Sequence, residues 1–350
     1  MIGDAQRVGI IVVQFGPVAP LRSCLGSLAG SGGSEGCPVI VIVNGLAEGS
    51  LDQLRSQYPN VDFHEPRSNL GYAGAANLGL ALLRTEFVVL LNNDLILVEG
   101  WLPPLVRQAD NDPGLVALQP KILSAHDRDR FDYAGGSGGF IDRYGYPYAR
   151  GRVFTETEID RGQYDDPVET FWASGAALFM RREAIIAAGG FDPDFFVYHE
   201  ETDLCWRLHL MGHRVGVCPA SKVYHVGSAT FASSPSLSRL QQYYMHRNAL
   251  IMLVKNTQSR DLRFRLGVRL VLELGSWPYL LLRRPSEVFE AIRGLTWLGR
   301  NRQALREMRA RAQGVRTVPD EAYTHLVAKG IVPLEFFLMR HRRFDRIPRA

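Results

Sequence analysis

The chain has little cysteine and no long apolar run, and both absences narrow what it can be. Its 350 residues include four cysteines, none in a Cys-x-x-Cys pair and none near histidines at zinc-finger spacing. The polar start and the short apolar run from Ile10 to Val13 do not fit a signal peptide. No stretch of about eighteen or more apolar residues occurs, so we expect no membrane-spanning helix. We therefore expect a cytoplasmic protein with reduced thiols.

Internal repeats and low-complexity segments are also missing. With 46% hydrophobic and 22% charged residues, the composition is that of a globular protein. The length suits one large domain or two smaller ones.

The charge is unevenly distributed along the chain. From Arg260 to Ala350 there are 19 Lys and Arg against 9 Asp and Glu, a net charge of +10. The preceding 259 residues have a net charge of −6, so the overall value of +4 hides two different parts. An acidic N-terminal part and a basic C-terminal part indicate that the two parts have different partners.

Short apolar strands alternate with amphipathic helices over the first ninety residues. The predicted strands are Val8 to Val13, Val39 to Val43, Val61 to His64 and Phe87 to Leu91. The predicted helices are Leu21 to Leu28, Leu51 to Tyr58 and a helix that begins near Ala73 and ends at Leu83. This spacing predicts an α/β fold with a mostly parallel sheet flanked by helices.

The rest of the chain is less regular. Residues 126–170 predict a long irregular excursion with at most a short hairpin, and such loops are usually functional or mobile. Val215 to Cys218 and Lys222 to His225 predict two short strands. Beyond Leu240 the pattern predicts a basic, helical region, so we divide the chain into a domain at 1–230 and a C-terminal helical region at 231–350.

An acidic element follows the strand that ends at Leu91. The sequence there is Asn92-Asn93-Asp94, and ligands of parallel sheets bind beyond the carboxyl ends of strands. A carboxylate at such an end can hold Mg²⁺ or Mn²⁺, which prefer oxygen ligands. The alternative is an Asn/Asp turn without a metal, since these residues turn well.

A second acidic element places three carboxylates within four positions: Glu200, Glu201 and Asp203. Crowded carboxylates raise one another's pKa, so one of them is a candidate general base. The alternative is the start of a helix over residues 204–208, where acids favour the helix dipole. Both can hold, because a base can lie on the first turn of a helix.

Two further elements are candidates for a ligand site. His225 ends a predicted strand, where a histidine is usually structural but its neutral imidazole could join Asp94 at a metal. Residues 69–77 form a small-residue loop that enters a helix, and its N–H groups suit a diphosphate. This loop is neither a P-loop nor Gly-x-Gly-x-x-Gly, and it equally fits a helix packed tightly on the sheet.

Taken in order, these elements resemble the family-2 glycosyltransferases with the GT-A fold, and the bacterial rhamnosyltransferase-like members most of all. The resemblance covers about Val8 to Ser228 and includes the motifs at 172–176 and 190–192. It implies an inverting, metal-dependent transferase of polysaccharide or cell-envelope biosynthesis. Its donor would be dTDP-rhamnose or a UDP-sugar, its acceptor a glycan or lipid-linked glycan, and its cofactor Mg²⁺ or Mn²⁺.

The resemblance also assigns roles to residues. It makes Glu201 the catalytic base and gives the metal to Asp94 and His225. The donor side comprises Gln14, Phe15, Asn44, Asn69, Gly71, Asn77, Asn92 and Asn93. The acceptor side comprises Trp172, Gly175, Ala176 and Glu200.

Two departures from the family pattern fall on the nucleotide side. The family usually has Asp-Asn after its second strand, where this chain has Val43-Asn44, and an Asn where this chain has Gly16. They leave open a non-catalytic glycan- or nucleotide-binding module on the same fold. A sugar-nucleotide pyrophosphorylase is disfavoured because its glycine-rich N-terminal loop is absent.

The basic tail is open to two interpretations. Leu262, Leu266, Leu270 and Leu274 lie four apart among arginines, and such helices can lie on an anionic leaflet. This predicts peripheral contact of residues 260–350 with the inner face of the cell membrane. Alternatively, the helices pack on the catalytic domain or form a homodimer. We expect no nucleic-acid partner.

Overall fold

A computed structural model of the chain describes residues 4–45, 51–227 and 235–349. The described residues form a nine-stranded sheet flanked by helices, a five-stranded sheet and a helical C-terminal region. The predicted fold class is therefore confirmed. The predicted division at residue 230 lies outside the described residues and stays a prediction.

The first part of the chain alternates strands and helices as the sequence predicts. Its elements are α1 (Asp4–Arg7), β1 (Val8–Gln14), α2 (Val18–Gly30), β2 (Val39–Val43), α3 (Leu51–Gln57), β3 (Val61–His64), α4 (Gly71–Leu82) and β4 (Phe87–Asn92). β1, β2, β3 and β4 pair in parallel, so Gln14 and Asn92 end at the same edge of the sheet.

The middle part contains more strands than the sequence predicts. Its elements are β5 (Leu95–Leu97), α5 (Leu102–Asn111), β6 (Leu115–Ser124), β7 (Gly139–Asp142), β8 (Pro147–Ala149), β9 (Arg152–Val153), β10 (Glu156–Thr157), β11 (Val168–Thr170), β12 (Ala177–Arg181), α6 (Arg182–Ala187), α7 (Glu200–Leu210) and β13 (Arg214–His225). β13 is one strand with a register shift between Cys218 and Lys222, where the sequence predicts two. The prediction of an irregular excursion over residues 126–170 is wrong, because β7 to β10 lie in this range. Each of these strands has two to four residues, too few to show the alternation of a strand in the sequence.

The large sheet has the order β11-β13-β6-β12-β4-β1-β2-β3, with β5 paired to β13. Alternate residues of its strands point to opposite faces and build two cores. In β1, Ile11 and Val13 belong to one core, while Val8, Ile10 and Val12 belong to the other. The sheet is thus covered on both faces, which is why its central strands read as continuous apolar runs.

The C-terminal region adds α8 (Pro235–Asn256), α9 (Ser259–Arg283), α10 (Pro285–Arg300), α11 (Arg302–Gly314), β14 (Val327–Ala328) and α12 (Val332–Phe337). β14 pairs in parallel with β7, so this region completes the five-stranded sheet, of order β10-β9-β8-β7-β14. In the described part of the chain, no helix combines the length and the apolar character needed to cross a membrane.

A buried ionic cluster joins α8 to the rest of the protein. The Lys255 ammonium lies 2.5 Å from the Asp192 carboxylate and 3.0 Å from that of Asp203. Asp203 also pairs with Arg207 at 2.9 Å and accepts a hydrogen bond from Asn256. Burial alone would raise the pKa of Asp203, but the charges of Lys255 and Arg207 outweigh burial and hold it below its usual range. The cluster therefore fixes α7 to α8 and favours the ionised form of Asp203.

Replacing Lys255 with methionine tests how much this cluster contributes. Lys255→Met leaves two buried carboxylates short of a cation, and we expect the free energy of unfolding to fall by about 3 kcal/mol. Urea denaturation followed by circular dichroism measures the change. Lys329→Met, at an exposed position, is the control and should lie within about 0.5 kcal/mol of the wild type. Equal midpoints for the two variants would show that the cluster does not stabilise the fold.

Candidate functional site

Strand pairing brings Asp94 to His225. Asp94 lies between β4 and β5, and β5 runs antiparallel to the end of β13 with Leu95 opposite His225. The N–H of Val226 donates to the Asp94 carbonyl at 3.0 Å and fixes this register. Asp94 Oδ1 and His225 Nε2 are consequently 3.1 Å apart, at the edge of the sheet where β1 and β4 end.

These two atoms are suited to share a cation. Both are buried, and although they face each other at short range, neither makes an aligned hydrogen bond within the described part of the chain. On the other side of the ring, His225 Nδ1 lies 2.8 Å from Asp132 Oδ1, which orients the imidazole. Among the described residues no set of three or more His, Cys, Asp or Glu is grouped to hold a metal. A hard cation would therefore take further oxygens from a bound phosphate or water, as Mg²⁺ commonly does.

The charge balance at His225 supports the same interpretation. Burial alone would lower the pKa of His225, but its contacts with Asp132 and Asp94 outweigh burial and raise it to about 10. The imidazolium form of His225 carries one positive charge beside the two carboxylates. The position between Asp94 and His225 is thus one where the protein demands positive charge.

Glu200 and Glu201 lie at the start of α7 in different surroundings. Glu200 is buried, and its Oε2 has no hydrogen-bond partner among the described residues. Burial and the nearby charge of Glu201 hold the pKa of Glu200 well above its usual range. Burial also raises the pKa of Glu201, which is more accessible and accepts a 3.5 Å hydrogen bond from the Thr202 hydroxyl. The surroundings therefore disfavour the charged form of Glu200 more strongly, and the more accessible Glu201 is the better candidate for a base.

Tyr72 and Gly175 connect the acidic pair to the rest of the site. The Tyr72 hydroxyl donates to the Gly175 carbonyl at 2.6 Å. A Cβ added at Gly175 would lie 3.5 Å from that of Glu201, so the base faces this glycine. Burial raises the pKa of Tyr72, and the charges of Glu200 and Glu201 raise it further. The charge of Asp94 adds to the same shift, so Asp94 and the two glutamates all act on this phenol.

Asn44 organises the loop before α4. Its Nδ2 donates to the Gly71 carbonyl at 2.9 Å, and its Oδ1 accepts from the Leu70 N–H at 2.8 Å. The exposed Asn69 accepts from the Gly71 N–H at 2.8 Å. Gly71 has φ of +69°, and an added Cβ would lie 2.4 Å from the Phe196 carbonyl oxygen, so only glycine fits. The loop is therefore preformed next to the acidic pair.

Gln14 and Asn93 form a second polar contact at the sheet edge. The Asn93 amide donates to Gln14 Oε1 at 2.6 Å and to the Phe15 carbonyl at 3.3 Å. Gln14 Nε2 donates to the carbonyls of Gly16 and Pro17, which closes the turn after β1. Asn92, Asn93 and Phe15 are half-buried at the edge of this turn. Gln14 is fully buried and supports this edge through its hydrogen bonds to the turn and to Asn93.

Three residues assigned to ligand contacts use polar atoms in hydrogen bonds within the protein. Asn77 donates to the Phe191 carbonyl at 2.7 Å and accepts from the Phe191 N–H at 2.9 Å. The Trp172 indole donates to the Phe140 carbonyl at 2.9 Å and is buried against Gly139. Ala176 is buried, and its carbonyl accepts from the Asn92 N–H. Their ligand roles stay predictions; the contacts show how they position neighbouring segments.

A strained loop precedes the acidic pair. Phe196, Tyr198 and His199 all have positive φ, at 64°, 69° and 68°, which is costly for residues with side chains. Asn248 of α8 holds the loop: its amide donates to the carbonyls of Phe195, Val197 and Tyr198 at 2.9, 2.9 and 2.8 Å. The neighbouring Arg247 donates to the Asp194 carbonyl. One side chain thus satisfies the carbonyls that the strained conformation turns inward.

The sequence did not reveal Asp132, Tyr72, Arg152 or Asn248 as part of the site. Asp132 and Asn248 act on partners 93 and 50 residues away, so no local pattern announces them. Arg152 is buried on β9, where its charge lowers the pKa of Glu201. The one available signal was Asp132 itself, an acid next to the buried Phe131 and before a glycine-rich turn.

Comparisons with known proteins identify a family whose model matches most of this chain. The model of the family described as "Glycosyltransferase like family 2" matches residues 5–244, a range that includes every motif of the predicted resemblance. A pre-mycofactocin glycosyltransferase of Mycobacterium tuberculosis is 31% identical over 197 residues, 55% of this chain and 38% of that protein. An N-acetylglucosaminyl-diphospho-decaprenol L-rhamnosyltransferase of the same organism is 27% identical over 263 residues, 70% of this chain and 83% of that protein. The chain thus spans well under half the length of the first relative.

A solved structure supports the fold. GalNAc-T7, crystallised with UDP, GalNAc and Mn²⁺, superposes with a TM-score of 0.56 at 14% identity, covering 72% of this chain and 48% of that one. At an identity this low, the comparison supports the fold alone. The predicted GT-A-type architecture is confirmed.

Replacing Asn248 with alanine tests how the strained loop is held. Asn248→Ala removes the donor to three carbonyls, a loss of about 1–3 kcal/mol that should appear as local opening. We expect amide hydrogen exchange in residues 196–204 to accelerate by roughly tenfold or more, with little change in distant strands. Mass spectrometry of proteolytic peptides measures this. Met245→Ala, at an exposed position of the same helix, should exchange like the wild type; equal rates in Asn248→Ala would refute the role of Asn248.

Proposed function

Because this chain belongs to glycosyltransferase like family 2, we infer that it is an inverting glycosyltransferase that acts on a nucleotide-sugar donor. The observation that carries the inference is one arrangement of side chains. Glu201 lies beside Gly175, and Asp94 and His225 form a buried pair. The charges of Glu201 and Asp94 both act on the phenol of Tyr72. One carboxylate able to accept a proton and one site that demands a cation are the two groups that sugar transfer to a hydroxyl requires.

The proposed reaction uses Glu201 as general base. Its carboxylate takes the proton of the acceptor hydroxyl as that oxygen attacks the anomeric carbon of the donor. The bond from the anomeric carbon to the diphosphate oxygen breaks, and the electron pair leaves with the nucleoside diphosphate. Attack from the side opposite the leaving group inverts the anomeric centre. Glu200, which keeps its proton, adds no second negative charge beside the base.

Asp94 and His225 would hold a divalent cation, Mg²⁺ or Mn²⁺. Such an ion supplies charge that stabilises the departing diphosphate. Support comes from their buried, unsatisfied atoms and from the Asp132 contact that turns Nε2 of His225 toward Asp94. GalNAc-T7, with the same type of fold, was crystallised with Mn²⁺.

The donor that we propose is dTDP-rhamnose, with UDP-sugars as the alternative. A rhamnosyltransferase that aligns with 70% of this chain supports rhamnose. The donor would lie between the Asn69–Gly71 loop and the edge formed by Phe15, Asn92 and Asn93. Asn44 already uses both polar ends of its amide on the 70–71 backbone, so it shapes this side of the site through the loop.

For the acceptor we propose a glycan or a lipid-linked glycan. It would approach from the side of Gly175, where Glu201 faces outward. We further propose that the chain acts in the cytoplasm, at the inner face of the cell membrane. Cys24, Cys205 and Cys218 are buried free thiols, which suits a reducing compartment, and a decaprenol-linked acceptor is named for one relative.

Two glutamate variants separate catalysis from binding. Glu201→Gln removes the base, so transfer should fall by about 10²- to 10⁴-fold while the dissociation constant of the donor stays close to the wild-type value. Release of dTDP or UDP from a panel of nucleotide sugars measures turnover, and calorimetry measures donor binding. Glu183→Gln, on an exposed turn of α6, is the control.

The pH profile assigns the base between the two glutamates. Because burial raises the pKa of Glu201 and the base must be ionised, kcat/KM should fall as the pH drops through a value above the usual glutamate range. Glu200→Gln should leave this acidic limb in place, since that carboxyl is already protonated. Wild-type transfer by Glu201→Gln would mean that the fold acts as a binding module or uses another base.

Metal binding tests the proposed ligands without relying on turnover. Mn²⁺ titration with dTDP present, followed by electron paramagnetic resonance, should show binding that Asp94→Asn and His225→Ala abolish. Asp132→Asn leaves both ligands but frees the imidazole, so affinity should fall by roughly 10- to 100-fold. Asp129→Asn, exposed three residues away, should bind as the wild type does. Unchanged affinity in Asp94→Asn would place the ion elsewhere.

A further inference from the structure

Helix α9 buries charged side chains and exposes apolar ones, which is the reverse of an ordinary surface helix. Its charged residues Arg269 and Glu273 are buried against the rest of the protein. Arg269 donates to the Tyr144 carbonyl and lies over the Tyr146 ring, and Glu273 pairs with His246 at 2.5 Å. The inward face of α9 therefore makes polar contacts with the rest of the protein, and Leu266 of this face packs on the core.

The outward face of α9 is apolar. From position 264 to position 282, every exposed residue is uncharged: Phe264, Gly267, Val271, Leu274, Gly275, Pro278, Tyr279, Leu281 and Leu282. Their spacing of three, four and seven places them along one side of the helix. Val271 is 68% and Leu282 86% exposed, so these side chains extend into solvent. Of the four leucines singled out in the sequence, Leu274 belongs to this face, whereas those at 262, 266 and 270 are half-buried.

The apolar surface continues onto a neighbouring element. At the end of α12, Phe337, Leu338 and Met339 are exposed, and the Phe337 ring lies 6.5 Å from that of Tyr279. We call the exposed apolar residues of α9 and of the end of α12 the apolar face. A patch of this extent marks an interaction site.

Arginines border the apolar face. Arg283 and Arg284 follow Leu282, and Arg340 follows Met339; all three are exposed. The nearby acids are turned inward: the side chains of Glu287 and Glu290 are largely buried and pair with Arg284 and Arg293. The border is therefore positively charged, with its negative partners partly withdrawn from solvent.

We propose that the apolar face docks on the surface of a bilayer that contains anionic lipids. Leucine, aromatic and methionine side chains would enter the boundary between headgroups and acyl chains, while the bordering arginines contact lipid phosphates. A second copy of the chain fits less well. In a two-fold dimer the same surface faces itself, which would bring the arginine borders together. Docking does not depend on the transfer reaction, so the two proposals can fail separately.

Vesicle flotation with the full chain tests the docking. The vesicles are phosphatidylcholine alone or mixed with an equal amount of phosphatidylglycerol. The wild type should float with the anionic vesicles and much less with the neutral ones. The triple variant Val271→Glu, Leu282→Glu, Leu338→Glu changes exposed residues only and should lower the partition coefficient by about tenfold or more. Arg283→Gln with Arg284→Gln should lower it by about thirtyfold on anionic vesicles, given roughly 1 kcal/mol per arginine.

A matched control carries the same changes at exposed apolar residues elsewhere. Leu82→Glu, Ile159→Glu, Ile186→Glu should float as the wild type does, and circular dichroism confirms that every variant is folded. The proposal would be overturned if the apolar-face variant floated as well as the wild type. It would also be overturned if the wild type floated with neither kind of vesicle. So would a wild-type dimer in sedimentation velocity that only the apolar-face variant dissociates, because a second copy would then cover the face.

Discussion

The site depends on a loop, residues 195–199, that is held against its own backbone preferences. Three of its residues adopt positive φ without being glycine, at a cost of about 1–3 kcal/mol each. The loop keeps this shape because it is gripped from two sides. Asn248 satisfies three of its carbonyls, and the absence of a side chain at Gly71 lets the Phe196 carbonyl approach the start of α4. The donor-side loop and the base helix are therefore positioned by one shared segment.

The metal pair is fixed by a different constraint, the register of β5 on β13. Leu95 opposes His225, so Asp94, the residue before Leu95, is brought to the histidine ring. A slip of one residue would turn His225 to the other face of the sheet. Asp132 then adds a hydrogen bond that no strand register supplies. Strand register thus positions the candidate metal ligands, whereas a strained loop positions the candidate base, and the charges of both act on Tyr72.

The sequence predicts those parts of this arrangement that follow from local pattern. Alternation of strands and helices predicts the parallel half of the sheet, and polar residues after β4 predict an edge with Asn92 to Asp94. The contacts that complete the site are not local. Asn248 lies on a helix whose pattern indicates only a basic tail, and its role requires knowing which carbonyls the loop turns inward. The short strands β7 to β10 are stabilised by β14, from the far end of the chain, so their own residues give a weak signal.

The C-terminal region packs against the domain that carries the candidate site. Its contribution to folding therefore has to be tested separately from a role in docking. β14 completes the five-stranded sheet, and the Val332 N–H donates to buried Asp142 at 2.9 Å. Tyr323 accepts a hydrogen bond from Trp206 of the base helix at 3.2 Å. Removing residues 260–350 would therefore expose Asp142 and Trp206 as well as remove the apolar face. A truncated chain that lost both membrane binding and transfer would not distinguish a docking role from a folding role. Substitutions confined to exposed side chains of α9 and α12 do distinguish them, because those side chains add little to the packing that holds the base.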